Sequence, residues 1–115
     1  MYPEILTRGY DTCLICRKGE PIILKVGHSN VFYWSPEEKP YHPTQRPVKL
    51  LEDMLDIFAP PASYVLVPFA GSGATLRACY KKGLFCIGFD VNKEYKNNFL
   101  EKIGEDAVAA SKVEV

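Results

Sequence analysis

The stretch YVLVPFAGSGATLRACYKKGLFCIGFD, residues 64–90, decides the fold. Tyr64, Val65, Leu66 and Val67 form a short apolar, β-branched run that reads as a buried strand. The turn Pro68, Phe69, Ala70, Gly71, Ser72, Gly73 stops it abruptly. Ala74 to Lys82 then winds as a helix, Gly83 stands where a left-handed residue closes one, and Leu84 to Phe89 is again a strand of the buried type. Asp90 follows at its carboxyl end. Together these make one βαβ unit, whose ligands sit at the carboxyl edge of the parallel strands. Gly71 and Gly73 allow backbone to approach a ligand closely. A carboxylate seventeen positions after Gly73 is well placed to accept hydrogen bonds from ribose hydroxyls, so the unit favours a ligand containing a nucleoside.

On the amino-terminal side of this unit, Leu50, Leu51, Met54, Leu55 and Phe58 recur at three- and four-residue spacing, with Lys49, Glu52, Asp53 and Asp56 off the stripe. That pattern predicts an amphipathic helix. Pro47 is tolerated in its first turn, and Ala59, Pro60 and Pro61 end it. Before it, HPTQRP at residues 42–47 places two prolines where they hold the backbone extended. On the carboxyl-terminal side, Asn92 can cap a last helix with Tyr95, Phe99, Leu100 and Ile103 on one face, and Gly104 is expected to end it. The first third reads as a β-hairpin: Tyr10 to Arg17, a turn at Lys18 to Pro21, and a returning strand from Ile22 to Val26, with a brief third strand at Val31 to Trp34. The expected organisation is a hairpin and loop over 1–41, a cofactor-binding portion over 42–104 and a loosely held tail over 105–115, within one structural domain.

Composition sets the outer limits. The 115 residues are 47% hydrophobic and 24% charged, and these globular values argue against extended disorder. Fourteen basic and fourteen acidic residues cancel, so any contact with nucleic acid has to come from local patches. No apolar run is long enough to span a bilayer and no signal pattern opens the chain; the expectation is a cytoplasmic protein without a membrane partner. Cys13 and Cys16 form a single C-x-x-C, but Cys79 and Cys86 do not supply a second pair at zinc-binding spacing. No metal site is expected, and Cys13, Cys79 and Cys86 read as small core residues.

The runs HPTQRPVKLLEDML, VLVPFAGSGATLRA and CIGFDVNKEY, in that order, resemble the carboxyl-terminal half of the bacterial and phage DNA methyltransferases that modify exocyclic amino groups. These are adenine-N6 and cytosine-N4 enzymes of the permuted class, in which the catalytic half precedes the cofactor half. The likeness covers about residues 41–103 and rests on three motifs in the family's order. It implies an α/β fold, a partial Rossmann-like S-adenosylmethionine-dependent methyltransferase with the hairpin at its amino-terminal side. It also implies a place in restriction-modification or DNA methylation, with double-stranded DNA met through a more complete enzyme.

The resemblance assigns roles residue by residue. Phe69 to Gly73 would wrap the methionine part of S-adenosylmethionine, with Pro68, Phe69, Ala70, Gly71, Ser72 and Gly73 as the binding loop. Asp90 would hold the ribose, with Val91 and Phe89 as apolar walls for the adenosine ring. His42, Thr44, Gln45 and Arg46 match a further cofactor segment, Arg46 standing where lysine is common. Two departures stand out. Val67 occupies a position that is often aspartate. The catalytic tetrapeptide, an acidic or polar residue followed by Pro-Pro and an aromatic, is missing, since the one double proline, Pro60-Pro61, precedes Ala62. That motif holds a flipped-out base in line with the methyl group. No catalytic residue is therefore assigned, and the chain reads as the cofactor half of a methyltransferase, either a truncated product or a subunit completed by a second chain, with a homodimer also open. Adenine N6 is preferred as the target on family frequency. A non-catalytic cofactor-binding or assembly subunit is the alternative. A nicotinamide-binding domain is disfavoured because Leu76 stands where a third glycine would be.

Overall fold

The computed structural model describes residues 10–34 and 46–111. Its elements run α1 (Val48–Phe58), β1 (Tyr64–Val67), α2 (Ala74–Lys81), β2 (Phe85–Gly88) and α3 (Lys93–Ser111). β1 and β2 pair in parallel, Tyr64 opposite Phe85 and Val67 opposite Gly88. This is the βαβ unit expected from residues 64–90, with each strand within a residue or so of its predicted bounds.

Small residues decide how α1 meets α2. Ala74 and Ala78 of α2 are buried, Ala78 completely, and Val48 packs into the space they leave, with Leu51 and Leu55 beside it. Alanines on one face let a neighbouring helix come close, and the larger aliphatic side chains of α1 then fill the gap. Pro47 is the N-cap rather than a first-turn residue. The buried stripe also differs from the expected one: Val48 and Ile57 are the deeply buried members, whereas Phe58, the last helical residue, is exposed. Ala59 closes the helix by donating its N–H to the Leu55 carbonyl at 2.8 Å. Lys82 from the end of α2 reaches Asp56 of α1 at 3.1 Å, which fixes the other end of the pair.

The connection from α1 to β1 is a tight turn in which Ser63 N–H donates to the Pro60 carbonyl at 3.1 Å. Ala62 takes φ 62° there, a conformation that glycine adopts more easily. At the end of α2, Gly83 has φ 69°, as a helix-closing glycine should.

Two larger expectations are also corrected. Residues 10–34 contain turns and irregular backbone but no strand, so the predicted hairpin is not formed. The reason lies in what the segment packs against. Tyr10, Leu14, Ile22 and Val26 are all exposed, and the Leu24 N–H donates to the Ile57 carbonyl of α1 at 2.8 Å instead of to a strand partner. An isolated two-stranded hairpin without a covered face has little stability. Cys13, expected in the core, is exposed for the same reason, whereas Cys79 is buried and Cys86 half-buried. The second correction concerns the tail. α3 does not stop at Gly104 but continues to Ser111. Arg77 of α2 clamps Asp106 with two hydrogen bonds of 2.8 and 3.0 Å, both side chains being at most 14% exposed. A bidentate pair in this setting outweighs the roughly 1 kcal/mol that an interior helical glycine costs.

Candidate cofactor site

β1 and β2 lead into the site together. Past the last paired residues the ladder continues: Phe89 N–H donates to the Val67 carbonyl at 3.1 Å, and Ala70 N–H donates to the Phe89 carbonyl at 2.7 Å. The glycine turn is thereby tied to the segment that carries Asp90. Within the turn, Gly73 N–H donates to the Ala70 carbonyl at 2.9 Å. Gly71 and Gly73 have φ values of 54° and 87°, so both adopt the left-handed conformation that glycine tolerates without steric cost.

Asp90 is the hub. Its Oδ2 accepts the Gly71 N–H at 2.8 Å, and its Oδ1 accepts the Asn92 N–H at 2.9 Å. Asn92 Oδ1 in turn accepts the Glu94 N–H at 2.9 Å, the side-chain cap that starts α3. One carboxylate thus fixes both the glycine turn and the route into the next helix. An ionised carboxylate offers about four acceptor positions, and two are used by these N–H groups. The remaining capacity points into solvent, for Asp90 is exposed.

Phe89 and Val91 flank Asp90 in sequence and Phe69 lies in the glycine turn; all three are exposed, Val91 fully so. An acceptor carboxylate and exposed apolar side chains at the carboxyl edge of parallel strands suit a nucleoside, whose hydroxyls can donate to the acid and whose flat ring can lie on the apolar groups. Ser72 differs from its neighbours, being buried together with Gly73. Gly73 is covered by Phe99 of α3, whose Cδ2 lies 2.4 Å from where a β-carbon would be. Sequence patterning placed Phe99 on the inner face of α3, but nothing in the pattern indicated that it caps the glycine turn.

The segment at 42–47 is reached only at its end. His42, Thr44 and Gln45 lie outside the described residues. Arg46 lies within 3.8 Å of Asp11, and Val48, two residues on, packs against Ala74, the residue after Gly73. The end of that segment therefore arrives beside the first turn of α2, next to the glycine loop. Among the described residues no group of three or more His, Cys, Asp or Glu side chains could hold a metal ion, and no helix is long and apolar enough to cross a membrane.

A βαβ unit with a glycine turn between its first strand and helix and an acid after the second strand is the arrangement used by nucleoside-cofactor domains. The family model described as DNA methylase, that of the N6/N4 methyltransferases, matches residues 15–101, and the chain belongs to this family. The protein YubD of Escherichia coli (strain K12) is 31% identical over 101 residues, which is 88% of this chain and 42% of YubD. The type II methyltransferase M.HindIII of Haemophilus influenzae is 33% identical over 81 residues, 69% of this chain and 26% of that enzyme. A crystal structure of the M1.HpyAVI–SAM complex matches with a TM-score of 0.54 and 37% identity, covering 60% of this chain and 34% of that one. The chain spans less than half the length of each of these relatives.

Proposed function

We propose that this chain is the S-adenosylmethionine-binding part of a site-specific DNA methyltransferase that modifies an exocyclic amino group, adenine N6 in preference to cytosine N4. The observation that carries the reading is the Asp90 carboxylate, held by the Gly71 and Asn92 N–H groups at the carboxyl edge of β1 and β2. A carboxylate already fixed before the ligand arrives loses little conformational freedom when it accepts the ribose hydroxyls. Phe69, Ala70, Gly71, Ser72 and Gly73 would line the methionine end and Phe89 and Val91 the adenosine ring, with His42, Thr44, Gln45 and Arg46 as further cofactor contacts by their match to the family's motif. Bound there, S-adenosylmethionine supplies an electrophilic methyl group on a sulfonium. The residues of this chain bind and orient it.

Methyl transfer needs a second set of groups. The Pro-Pro-aromatic motif that would hold the target base is not in the sequence. The chain alone is therefore expected to bind cofactor without turnover, and double-stranded DNA is met only with a complementary catalytic part on a different chain, since a second copy of this one repeats the same sequence. Leu76 weighs against a nicotinamide cofactor. Its side chain fills the space over Gly88, its Cδ1 lying 2.7 Å from where a β-carbon would be, so the helix–strand contact is relieved on the strand and not by a third glycine on the helix.

Calorimetric titration with S-adenosylmethionine tests the reading, with Asp90→Ala and a nicotinamide dinucleotide as controls. Saturable binding that weakens by about 1–3 kcal/mol in Asp90→Ala is expected. Absence of binding at millimolar ligand in a folded sample would refute the cofactor assignment and leave the assembly-subunit alternative.

A further inference from the structure

Two of the four cysteines meet between α2 and the strand that leads to Asp90. Cys79 of α2 is fully buried and Cys86 of β2 is half-buried, and both are free thiols. They lie seven positions apart, and the chain between them doubles back at once: the Leu84 N–H donates to the Cys79 carbonyl at 2.9 Å, and Gly83 takes φ 69°. Successive strand residues alternate faces. Cys86 therefore shares a face with Gly88, which Leu76 of α2 covers, and Cys86 Sγ lies 3.9 Å from the Leu76 carbonyl. Leu76 and Cys79 are three apart in a helix and so are neighbours on one side of it, which brings the two sulfurs together. The thiols are hydrogen-bonded to each other, and burial together with this contact pushes the Cys79 thiol up to about 11. A single buried cysteine acts as a small hydrophobe. Two in contact add a chemistry that neither has alone.

We propose that Cys79 and Cys86 are a redox site, which closes to an intramolecular disulfide by exchange with a low-molecular-weight disulfide and so staples α2 to β2. The half-buried Cys86 is the sulfur that a reagent reaches first. Its thiol loses a proton to solvent, and the thiolate attacks one sulfur of the reagent, forming a mixed disulfide and expelling a thiolate. The Cys79 thiol then gives up its proton, and its sulfur attacks the Cys86 sulfur, breaking the mixed disulfide and expelling the second thiolate. The two expelled thiolates take up the two protons. Two protein thiols are thereby oxidised to one disulfide, and one reagent disulfide is reduced to two thiols. Burial of Cys79 makes the second step the slow one, since only a thiolate attacks. Cys13 and Cys16, both exposed in a segment without helix or strand, have no comparable framework to hold their sulfurs in contact. This chemistry depends on the helix–strand packing alone and not on the cofactor assignment.

The test uses the full chain carrying Cys13→Ser and Cys16→Ser, which removes the exposed thiols and leaves both core cysteines in place. The folded protein is incubated with cystamine, and its intact mass and peptide map are read by mass spectrometry. The expected product has lost two hydrogens, carries no added cysteamine and yields a linked pair of peptides containing Cys79 and Cys86. Its thermal midpoint should rise by about 5–10 °C, and reductant should reverse every change. Adding Cys79→Ala removes the resolving sulfur, so Cys86 should then keep a cysteamine adduct. The decisive readout comes from protein with both core cysteines intact and does not depend on how well that variant folds. The proposal is overturned if both thiols stay free in the folded protein under conditions that link them in urea, or if each takes a separate adduct. A link between two chains instead of within one, or a thermal midpoint that falls on oxidation, overturns it equally.

Discussion

Replacing Gly73 by alanine separates two physical demands that meet at one residue. Gly73 has φ 87°, and a residue with a β-carbon held there loses about 1–2 kcal/mol to backbone strain. The new methyl would also lie 2.4 Å from Cδ2 and 2.9 Å from Cγ of Phe99, so the ring must move. Displacing a packed side chain in this way costs roughly another 1–3 kcal/mol. The expected loss is about 2–5 kcal/mol from both sources, a large share of the 5–15 kcal/mol typical of a domain. Urea denaturation of four proteins gives the partition: wild type, Gly73→Ala, Phe99→Ala and the double variant. In the Phe99→Ala background only the strain remains, so Gly73→Ala should then cost about 1–2 kcal/mol, and the difference between backgrounds measures the seating of the ring. Gly88→Ala is the companion case, with ordinary φ but a β-carbon 2.7 Å from Leu76 Cδ1 and 3.1 Å from Ala70 Cβ, so only its packing component should appear. If Gly73→Ala costs the same in both backgrounds, Phe99 does not cover the turn. If it costs less than about 0.5 kcal/mol in either, the turn does not require a left-handed residue and the argument fails.

Other expectations follow from the same contacts. The Arg77 guanidinium beside Asp106 holds its carboxyl below the usual aspartate range despite partial burial. A depressed native pKa stabilises the fold fully above the ordinary aspartate value near 3.8 and loses that contribution as pH falls below it. Asp106→Asn should flatten the acid limb of a pH–stability curve, and Asp106→Ala should cost about 1–3 kcal/mol at neutral pH, both read by thermal denaturation. Gly104 lies within α3 with open space around its α-carbon, so Gly104→Ala should stabilise by about 0.5–1 kcal/mol in the same assay. Burial, with Cys86 as neighbour, pushes the Cys79 thiol up to about 11, so a maleimide should label exposed Cys13 and Cys16 long before Cys79, monitored by mass spectrometry.

What could be read from the sequence divides by the range of the contacts involved. β1, α2, β2 and the glycine turn were legible because their determinants are local: a β-branched run, a break at Pro68, small residues at Ala74 and Ala78, and Gly83 where the helix closes. The hairpin over residues 10–26 was not. Its alternating apolar residues are strand-like in composition, but a strand also needs a partner, and the Leu24 N–H found one on α1. The end of α3 was misread because Gly104 is a local stop signal, whereas Arg77, twenty-nine positions before Asp106, is a distant reason to continue. For the site, Gly71, Gly73 and Asp90 are brought together as expected, while the cover that Phe99 provides required the fold. Leu76 and Gly88 make a related point: the small residue that close helix–strand packing demands is present, but on the strand, twelve positions away from where a helix-based pattern looks for it.

Asp90 shows how these levels join. From sequence alone it reads as a ligand for ribose, with Asn92 as the cap of the last helix. In the structure the cap is Asn92, yet Asp90 organises that cap by accepting the Asn92 N–H and organises the glycine turn by accepting the Gly71 N–H. Structural and binding roles therefore do not compete for this residue. Its two N–H partners fix the carboxylate's orientation, and that orientation leaves acceptor capacity directed at solvent, where a diol would meet it. The converse also holds: ligand that strengthens the position of Asp90 also steadies the turn and the start of α3. On the proposed reading, cofactor binding and local stability at the carboxyl edge of the sheet would be linked by one side chain, so a ligand favouring this arrangement should raise the stability of both the turn and the start of α3.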